Sequence, residues 1–549
     1  MREYAGFLAT GLAMAIATTG SAWAQPAAMQ VLDMRYEGSA PIVPDGYYAN
    51  PVLPGFHPDP SIVGVGPDFY LVTSTFSWFP GLPVFHSRDL VNWTQIGNAI
   101  DRPGMVDMRA MSLTGDGLYA PAITHHGDTF YILNTCVRCD GNFLVTAKDP
   151  AGPWSDPVPL AFDGIDPSLF VDSDGRGWIT YNDAPIGEPR YDGHRAIWIR
   201  EIDLTTLQLT GTPTLLVDGG VRPQDNPVWA EGPHIYSVDG WYYLLAAEGG
   251  TADQHSQTIY RSRAITGPYE PGPVNPILTQ RDLSAARKDR VEATGHADFV
   301  KLEDGSWWSV FLATRPFAAQ DTLLGRETFL LPVNWSEGWP AILPHGEPVP
   351  LVAQAPQLPS GSGTDWNAWE ETFDNAALGH EWLRMRGVAD TQRLALSEGA
   401  LIVIPSDTSL AERGMPSFVG RRLRHPTATI DARIDFTPQV EGDFGGIAAV
   451  ASETAFLAVG RTTDGITLLK RDDAADPVNG EVVARAAAGS GPVDLRIAID
   501  RGTADVSYRR GTGSWTLLAE GVDVSHMASV RSNLFTGVVV GPYAYSATD

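Results

Sequence analysis

The feature that most limits the fold of this chain is a pattern that returns five times before residue 340. Each copy is a turn of Gly, Asp or Pro followed by strand-forming aromatic and aliphatic residues. The copies are Gly66-Pro67-Asp68-Phe69-Tyr70-Leu71-Val72, Gly127-Asp128-Thr129-Phe130-Tyr131-Ile132-Leu133, Asp174-Gly175-Arg176-Gly177-Trp178-Ile179-Thr180-Tyr181, Asp239-Gly240-Trp241-Tyr242-Tyr243-Leu244-Leu245 and Asp304-Gly305-Ser306-Trp307-Trp308-Ser309-Val310-Phe311. A tight turn leading into such residues is a hairpin signature. The copies recur roughly every 45 to 65 residues, about the length of a four-stranded propeller blade. Five copies predict a five-bladed β-propeller. The competing fold is a β-sandwich with unrelated hairpins.

A second regularity runs in step with the first. About ten to twelve residues before each aromatic strand stands a short polar motif: His57-Pro58-Asp59-Pro60-Ser61, Tyr119-Ala120-Pro121, Asp166-Pro167-Ser168, Ala230-Glu231-Gly232-Pro233 and Thr294-Gly295-His296-Ala297. Equivalent blades put these motifs in equivalent places, at the start of the innermost strands where the blades meet. Proline is tolerated at a first strand position because its missing N–H is not needed there. Asp59, Asp166, Glu231 and His296 are therefore expected in one axial pocket.

Three carboxylates in one pocket suit hydrolysis of a glycosidic bond, which needs an acid for the leaving oxygen and a base for water. Asp59 is assigned as general base and Glu231 as general acid. Asp166 is assigned to orient the acid and raise its pKa, since like charges disfavour double ionisation. Acid and base of an inverting enzyme stand about 6.5–9.5 Å apart, leaving room for water. Taken singly, an Asp before Pro-Ser is more often a turn residue that caps backbone N–H groups. The shared register is what lifts the set, and the neighbouring acids Asp163 and Glu248 fall outside it.

The remaining chain gives the frame. Its 549 residues are enough for two domains, and 56 Gly with 42 Pro suit short strands and many turns. Residues 1–24 read as a signal peptide, with Arg2 as a weak basic start, an apolar run from Phe7 to Ala17 and Ala22-Trp23-Ala24 before Gln25. Glu3 counts against it, but the run is too short to span a bilayer. The predicted divisions are a propeller over 40–340, a Pro/Gly-rich linker over 341–365 and a β-sandwich over 366–549. Strand-like runs in the last include Leu401-Ile402-Val403-Ile404 and Val493-Asp494-Leu495-Arg496-Ile497-Ala498-Ile499. A formal net charge of -27 disfavours nucleic acid and anionic membranes as partners and suits a neutral polysaccharide in an exported protein. Cys136 and Cys139 are too few for a zinc site, and in an oxidising compartment they suit a local disulfide.

Residues 48 to 340 resemble glycoside hydrolase family 43, its β-xylosidase and α-L-arabinofuranosidase members in particular. The resemblance rests on Asn50-Pro51-Val52-Leu53-Pro54-Gly55-Phe56-His57-Pro58-Asp59-Pro60-Ser61, Gly164-Ile165-Asp166-Pro167-Ser168-Leu169-Phe170, Ala230-Glu231-Gly232-Pro233-His234-Ile235-Tyr236, Thr294-Gly295-His296-Ala297-Asp298 and Gly325-Arg326-Glu327-Thr328-Phe329. It implies an inverting, exo-acting hydrolase that releases terminal β-D-xylose or α-L-arabinofuranose from xylo- or arabino-oligosaccharides. It also implies that Arg326 bonds the sugar in the first subsite, that Phe76 and Tyr119 line it, and that His296 faces the axis. In some members that histidine lies near Ca2+ or another cation; no cofactor is required for the chemistry, and one His with water is a weak site for a hard cation. The region after the linker is similar to the accessory domain of the longer members. Two departures stand out: Tyr119 replaces a Trp common in the family, and the chain ends at Asp549 where relatives continue through one more strand rich in Asp and Phe. Two alternatives remain. A fructan or sucrose hydrolase would show Asp-Pro-Asn where Asp59-Pro60-Ser61 stands. A sugar-binding propeller without catalysis would lack an acid or base.

Overall fold

The computed structural model describes residues 27–388, 393–531 and 534–547. The expected signal peptide, residues 1–24, lies outside them. The described chain is all-β, a five-bladed propeller followed by a sandwich. The innermost strands of the five blades are Ser61–Val65, Ala122–His126, Ile165–Val171, Glu231–Val238 and Glu292–Lys301, and they close a ring. Each blade then runs outward through antiparallel neighbours in sequence order, as in Ile165–Val171, Gly177–Asp183, Ala196–Asp203 and Gln208–Asp218.

The paired aromatics of the repeat have a geometric cause. Successive strand residues point to opposite faces, so each adjacent pair serves two neighbouring blade interfaces. Phe130 joins the core between the first and second blades, and Tyr131 the core between the second and third. Ile179 faces the second blade and Trp178 the fourth. Tyr243 packs toward the fifth blade and Tyr242 toward the third. Trp308 and Phe69 share the core between the fifth blade and the first, where the ring shuts.

The sandwich reaches beyond residues 366–549. Met29–Gly38, which precedes the propeller, is an interior strand of its eight-stranded sheet, paired with Ala400–Val403 and Thr427–Asp435. Within that strand Met29, Val31, Met34 and Tyr36 point into the core. A register shift between Val31 and Asp33 breaks the simple alternation, which hides the strand from a period-two reading. In the facing seven-stranded sheet Val539–Tyr545 lies between Phe444–Ser452 on one side and Ser417–Phe418 with Arg421–Arg422 on the other, so this last strand is not an edge. The expected linker is partly ordered by pairing, since Val352–Gln354 lies against Tyr47–Ala49. Cys136 and Cys139 form a disulfide. No helix among the described residues is long and apolar enough to cross a membrane.

A further core joins the two domains. Phe56 and Trp78 of the propeller pack with Leu383, Met385, Phe418, Phe444 and Tyr543 of the sandwich. The accessory domain is thus built against the first blade, close to the segment that carries Asp59.

Candidate active site

The recurrent polar motifs coincide with irregularities in the innermost strands. In the third, fourth and fifth blades the pairing slips by one residue between Ile165 and Ser168, between Glu231 and His234, and between Gly295 and Asp298. Such a bulge inserts an unpaired residue and re-aims its side chain. Asp59, Phe76, Asp166, Trp229 and His296 all have φ between 51° and 57°. Non-glycine residues in the left-handed region are strained, and such strain concentrates at functional sites. Here it turns side chains out of the pleat and toward the axis.

The result is one cavity of about 350 Å³ lined by Asp59, Phe76, Tyr119, Asp166, Glu231, His296 and Arg326, every residue that the sequence assigned to the site. Trp229, Thr251 and Phe535 line it as well. The rivals lie elsewhere. Asp163 is exposed, and Glu248 is buried where it accepts the Val221 N–H at 3.2 Å.

The two walls of the cavity differ in charge. On one, Asp59 Oδ1 receives Arg326 Nη1 at 3.1 Å, and Ser74 Oγ donates to Asp59 Oδ2. On the other, Glu231 is 7% exposed and has no cation within ion-pair distance among the described residues. Burial above all, then the charges of Asp166 and Asp59, pushes its carboxyl up to about 8 against the pull of His296 and Arg326. Asp166 Oδ2 accepts the Gly232 N–H at 3.1 Å, so it is tied to the residue after Glu231. His296 Nε2 lies 3.5 Å from the same oxygen. Burial would lower the His296 pKa, but that contact and the surrounding carboxylates outweigh it and hold the ring up to about 9. Burial and the neighbouring carboxylates thus favour the protonated form of Glu231, while the carboxylates around His296 favour its charged form.

Aromatic rings close the space above the carboxylates. Phe76 meets Tyr119 edge-on at 5.2 Å and stacks on Phe535 at 5.5 Å. Arg326 lies over both phenylalanine rings, at 5.7 and 5.4 Å. The Tyr119 hydroxyl donates to Gly115 O at 2.8 Å, which turns it away from the cavity centre and leaves the ring as wall. Phe535 was not foreseen: it comes from the accessory half of the chain, and no local pattern marks it. Trp229 stands two residues before Glu231, immediately ahead of the recurrent motif, and could have been read from that position.

The donor set near His296 does not fit a divalent cation. Its Nδ1 is buried without a partner, so one ring nitrogen is open. However, no three His, Cys, Asp or Glu among the described residues gather as ligands. Ca2+ takes six to eight oxygens, which a single imidazole does not supply.

Known proteins match over both domains. Residues 48–340 match the model of Glycosyl hydrolases family 43, and residues 370–549 that of the Beta xylosidase C-terminal Concanavalin A-like domain. The Non-reducing end alpha-L-arabinofuranosidase BoGH43B of Bacteroides ovatus is 36% identical over 90% of this chain and 91% of its own. The Xylosidase/arabinosidase of Butyrivibrio fibrisolvens is 35% identical over 90% and 95%. The crystal structure of a GH43_12 protein from a capybara gut metagenome superposes with a TM-score of 0.84 at 34% identity, covering 95% of this chain and 100% of that one. Both domains are matched along the chain, and the chain belongs to Glycosyl hydrolases family 43.

Proposed function

We propose that the protein is an exo-acting, inverting hydrolase that removes terminal β-D-xylose or α-L-arabinofuranose from xylo- or arabino-oligosaccharides. The observation that carries this reading is the unequal surroundings of two carboxyl groups in one small cavity. Asp59, held against Arg326, is a proton acceptor; Glu231, raised to about 8, is a proton donor at neutral pH. Asp59 takes a proton from water as the water oxygen bonds to the anomeric carbon. The bond to the leaving oxygen breaks as Glu231 delivers its proton there, and the released sugar carries inverted configuration. Asp166 holds the start of the Glu231–Val238 strand through Gly232 and, after burial, helps keep the acid protonated. Phe76, Tyr119, Trp229 and Phe535 bound a space suited to one pentose, which favours attack at a chain end. Relatives named for xylosidase and arabinosidase activity support the substrate class.

The donor set around His296 supports hydrolysis without a bound metal, so a chelator is expected to leave the rate unchanged. Export is supported by the leader-like residues 1–24 and by the Cys136–Cys139 disulfide, which belongs to an oxidising compartment. The deciding test is the initial rate on the nitrophenyl glycosides of β-D-xylopyranose and α-L-arabinofuranose, with proton NMR of the first product. Turnover of at least one with an inverted anomer is expected. No turnover of either, or a retained anomer, overturns the reading.

A further inference from the structure

Asp59 sits on a loop with little regular pairing, in a strained conformation, and something must hold it. Part of the clamp comes from the propeller. His57 N donates to Arg326 O at 3.0 Å, Thr328 Oγ1 to His57 O at 2.6 Å, and Ser74 N to Pro58 O at 3.1 Å. Gly55 N donates to Glu327 Oε1 at 2.8 Å, and Glu327 is held by Arg315 through two contacts of 2.7 Å. The remaining side of the loop is covered by the sandwich. Arg422 is 4% exposed, and its Nε donates to Phe56 O at 2.8 Å. Its guanidinium lies over the Phe56 ring at 4.6 Å. The strand Arg421–Arg422 is itself paired to Val539–Val540. The approach is close: a Cβ on Gly55, whose φ is +81°, would stand 2.6 Å from Leu423 O.

We propose that Arg422 is a positioning residue for the reaction, through which the accessory sandwich fixes the loop that carries the base Asp59. This rests on the assignment of Asp59 above. Arg422 touches neither substrate nor the reacting atoms. It anchors the carbonyl three residues before Asp59, at the only point where the sandwich donates a side-chain hydrogen bond to residues 54–59 among the described residues. A buried guanidinium spent on a main-chain carbonyl, with no carboxylate of its own, contributes little net stability. Its value lies in geometry, since a displacement near one ångström at a reacting group can cost about 10²-fold in rate.

The test compares wild type, Arg422→Met, Arg422→Lys and Asp59→Ala on an aryl pentoside, with and without azide. Azide substitutes for base-activated water: its nitrogen bonds to the anomeric carbon while the aglycone leaves with the Glu231 proton. Asp59→Ala is expected to respond to azide, and wild type is not. The inference expects Arg422→Met to lose about 10- to 100-fold in kcat with KM nearly unchanged, and to regain rate in azide. Arg422→Lys, which keeps a donor and the charge, is expected to recover part of kcat. Val459→Ala, deep in the sandwich core, serves as control and is expected to lower Tm without changing kcat or azide response. Wild-type kcat in folded Arg422→Met overturns the inference, and so does a loss of kcat that azide does not relieve. If Arg422→Met does not fold, the shorter, uncharged Arg422→Gln is read in its place, and wild-type kcat in that variant overturns the inference. Absence of turnover by wild type itself would sink the functional assignment and is recognised before any variant is compared.

Discussion

The two walls of the axial cavity use the same functional group to opposite ends. Asp59 lies against a guanidinium; Glu231 is buried among other carboxylates with no guanidinium of its own. Neither residue type nor local sequence dictates this, since both precede a turn-forming residue and both sit in the same register of the repeat. The difference comes from what the neighbouring blades bring. The fifth blade delivers Arg326 to one wall, and the third delivers Asp166 to the other. The proposed division into acid and base therefore follows from tertiary neighbours rather than from the motif.

The harshest way to break this contrast is to remove each carboxyl and vary the leaving group. Asp59→Asn is expected to lower kcat by about 10²–10⁴-fold on any substrate, because water must be activated whatever leaves. Glu231→Gln is expected to cost a similar factor on an unactivated disaccharide. It should cost far less on a dinitrophenyl glycoside, whose leaving group needs no proton. Steady-state rates on the two substrates check both. Equal sensitivity of Glu231→Gln to the two leaving groups would mean that the acid and base walls have been exchanged.

Two milder substitutions sharpen the electrostatic side. In its proposed role as the acid, Glu231 must be protonated to act, so kcat/KM is expected to fall as pH rises through about 8. The negative charge of Asp166 raises Glu231, so Asp166→Asn should move that alkaline limb to lower pH. The positive charge of His296 lowers Glu231, so His296→Gln should move it to higher pH. The opposite signs are the diagnostic result, read from pH–rate profiles of the two variants beside wild type. No shift in either variant would mean that burial alone, and not the charged neighbours, governs the acid.

Much of this was legible in the sequence because it repeats. The adjacent large apolar residues announce strands with two buried faces, and the structure places one member of each pair in each flanking blade interface. The polar motifs announce their common location, which proves to be a set of bulges that turn Asp166, Glu231 and His296 inward. What escaped was whatever the repeat does not contain. Met29–Gly38 joins strands hundreds of residues later, and its bulge conceals its alternation. Phe535 has no counterpart in the blades. It reaches the cavity because Val538 N donates to Leu323 O at 2.8 Å and Gly537 lies directly against Leu324, contacts that no local pattern encodes.

Phe535 also offers the gentlest test of how the two domains divide the work. Its ring stacks on Phe76 and lies under Arg326, so it forms wall for the sugar and flank for the residue that holds Asp59. Truncation to Ala opens the cavity to water and removes an aromatic contact worth about 0.5–1.5 kcal/mol beyond area burial. A wall acts equally on substrate and transition state, so its loss should raise KM by about threefold to tenfold and leave kcat nearly intact. A flank for Arg326 acts through the base instead, and its loss should lower kcat with KM unchanged. The wall is the larger role, because Arg326 keeps its contact with Phe76 and its hydrogen bond to Asp59 in the variant. A Phe535→Ala enzyme with raised KM and preserved kcat would make the sandwich a contributor of binding surface at this point. One with a depressed kcat that azide relieves would place Phe535 with Arg422, among the devices by which the second domain holds the base.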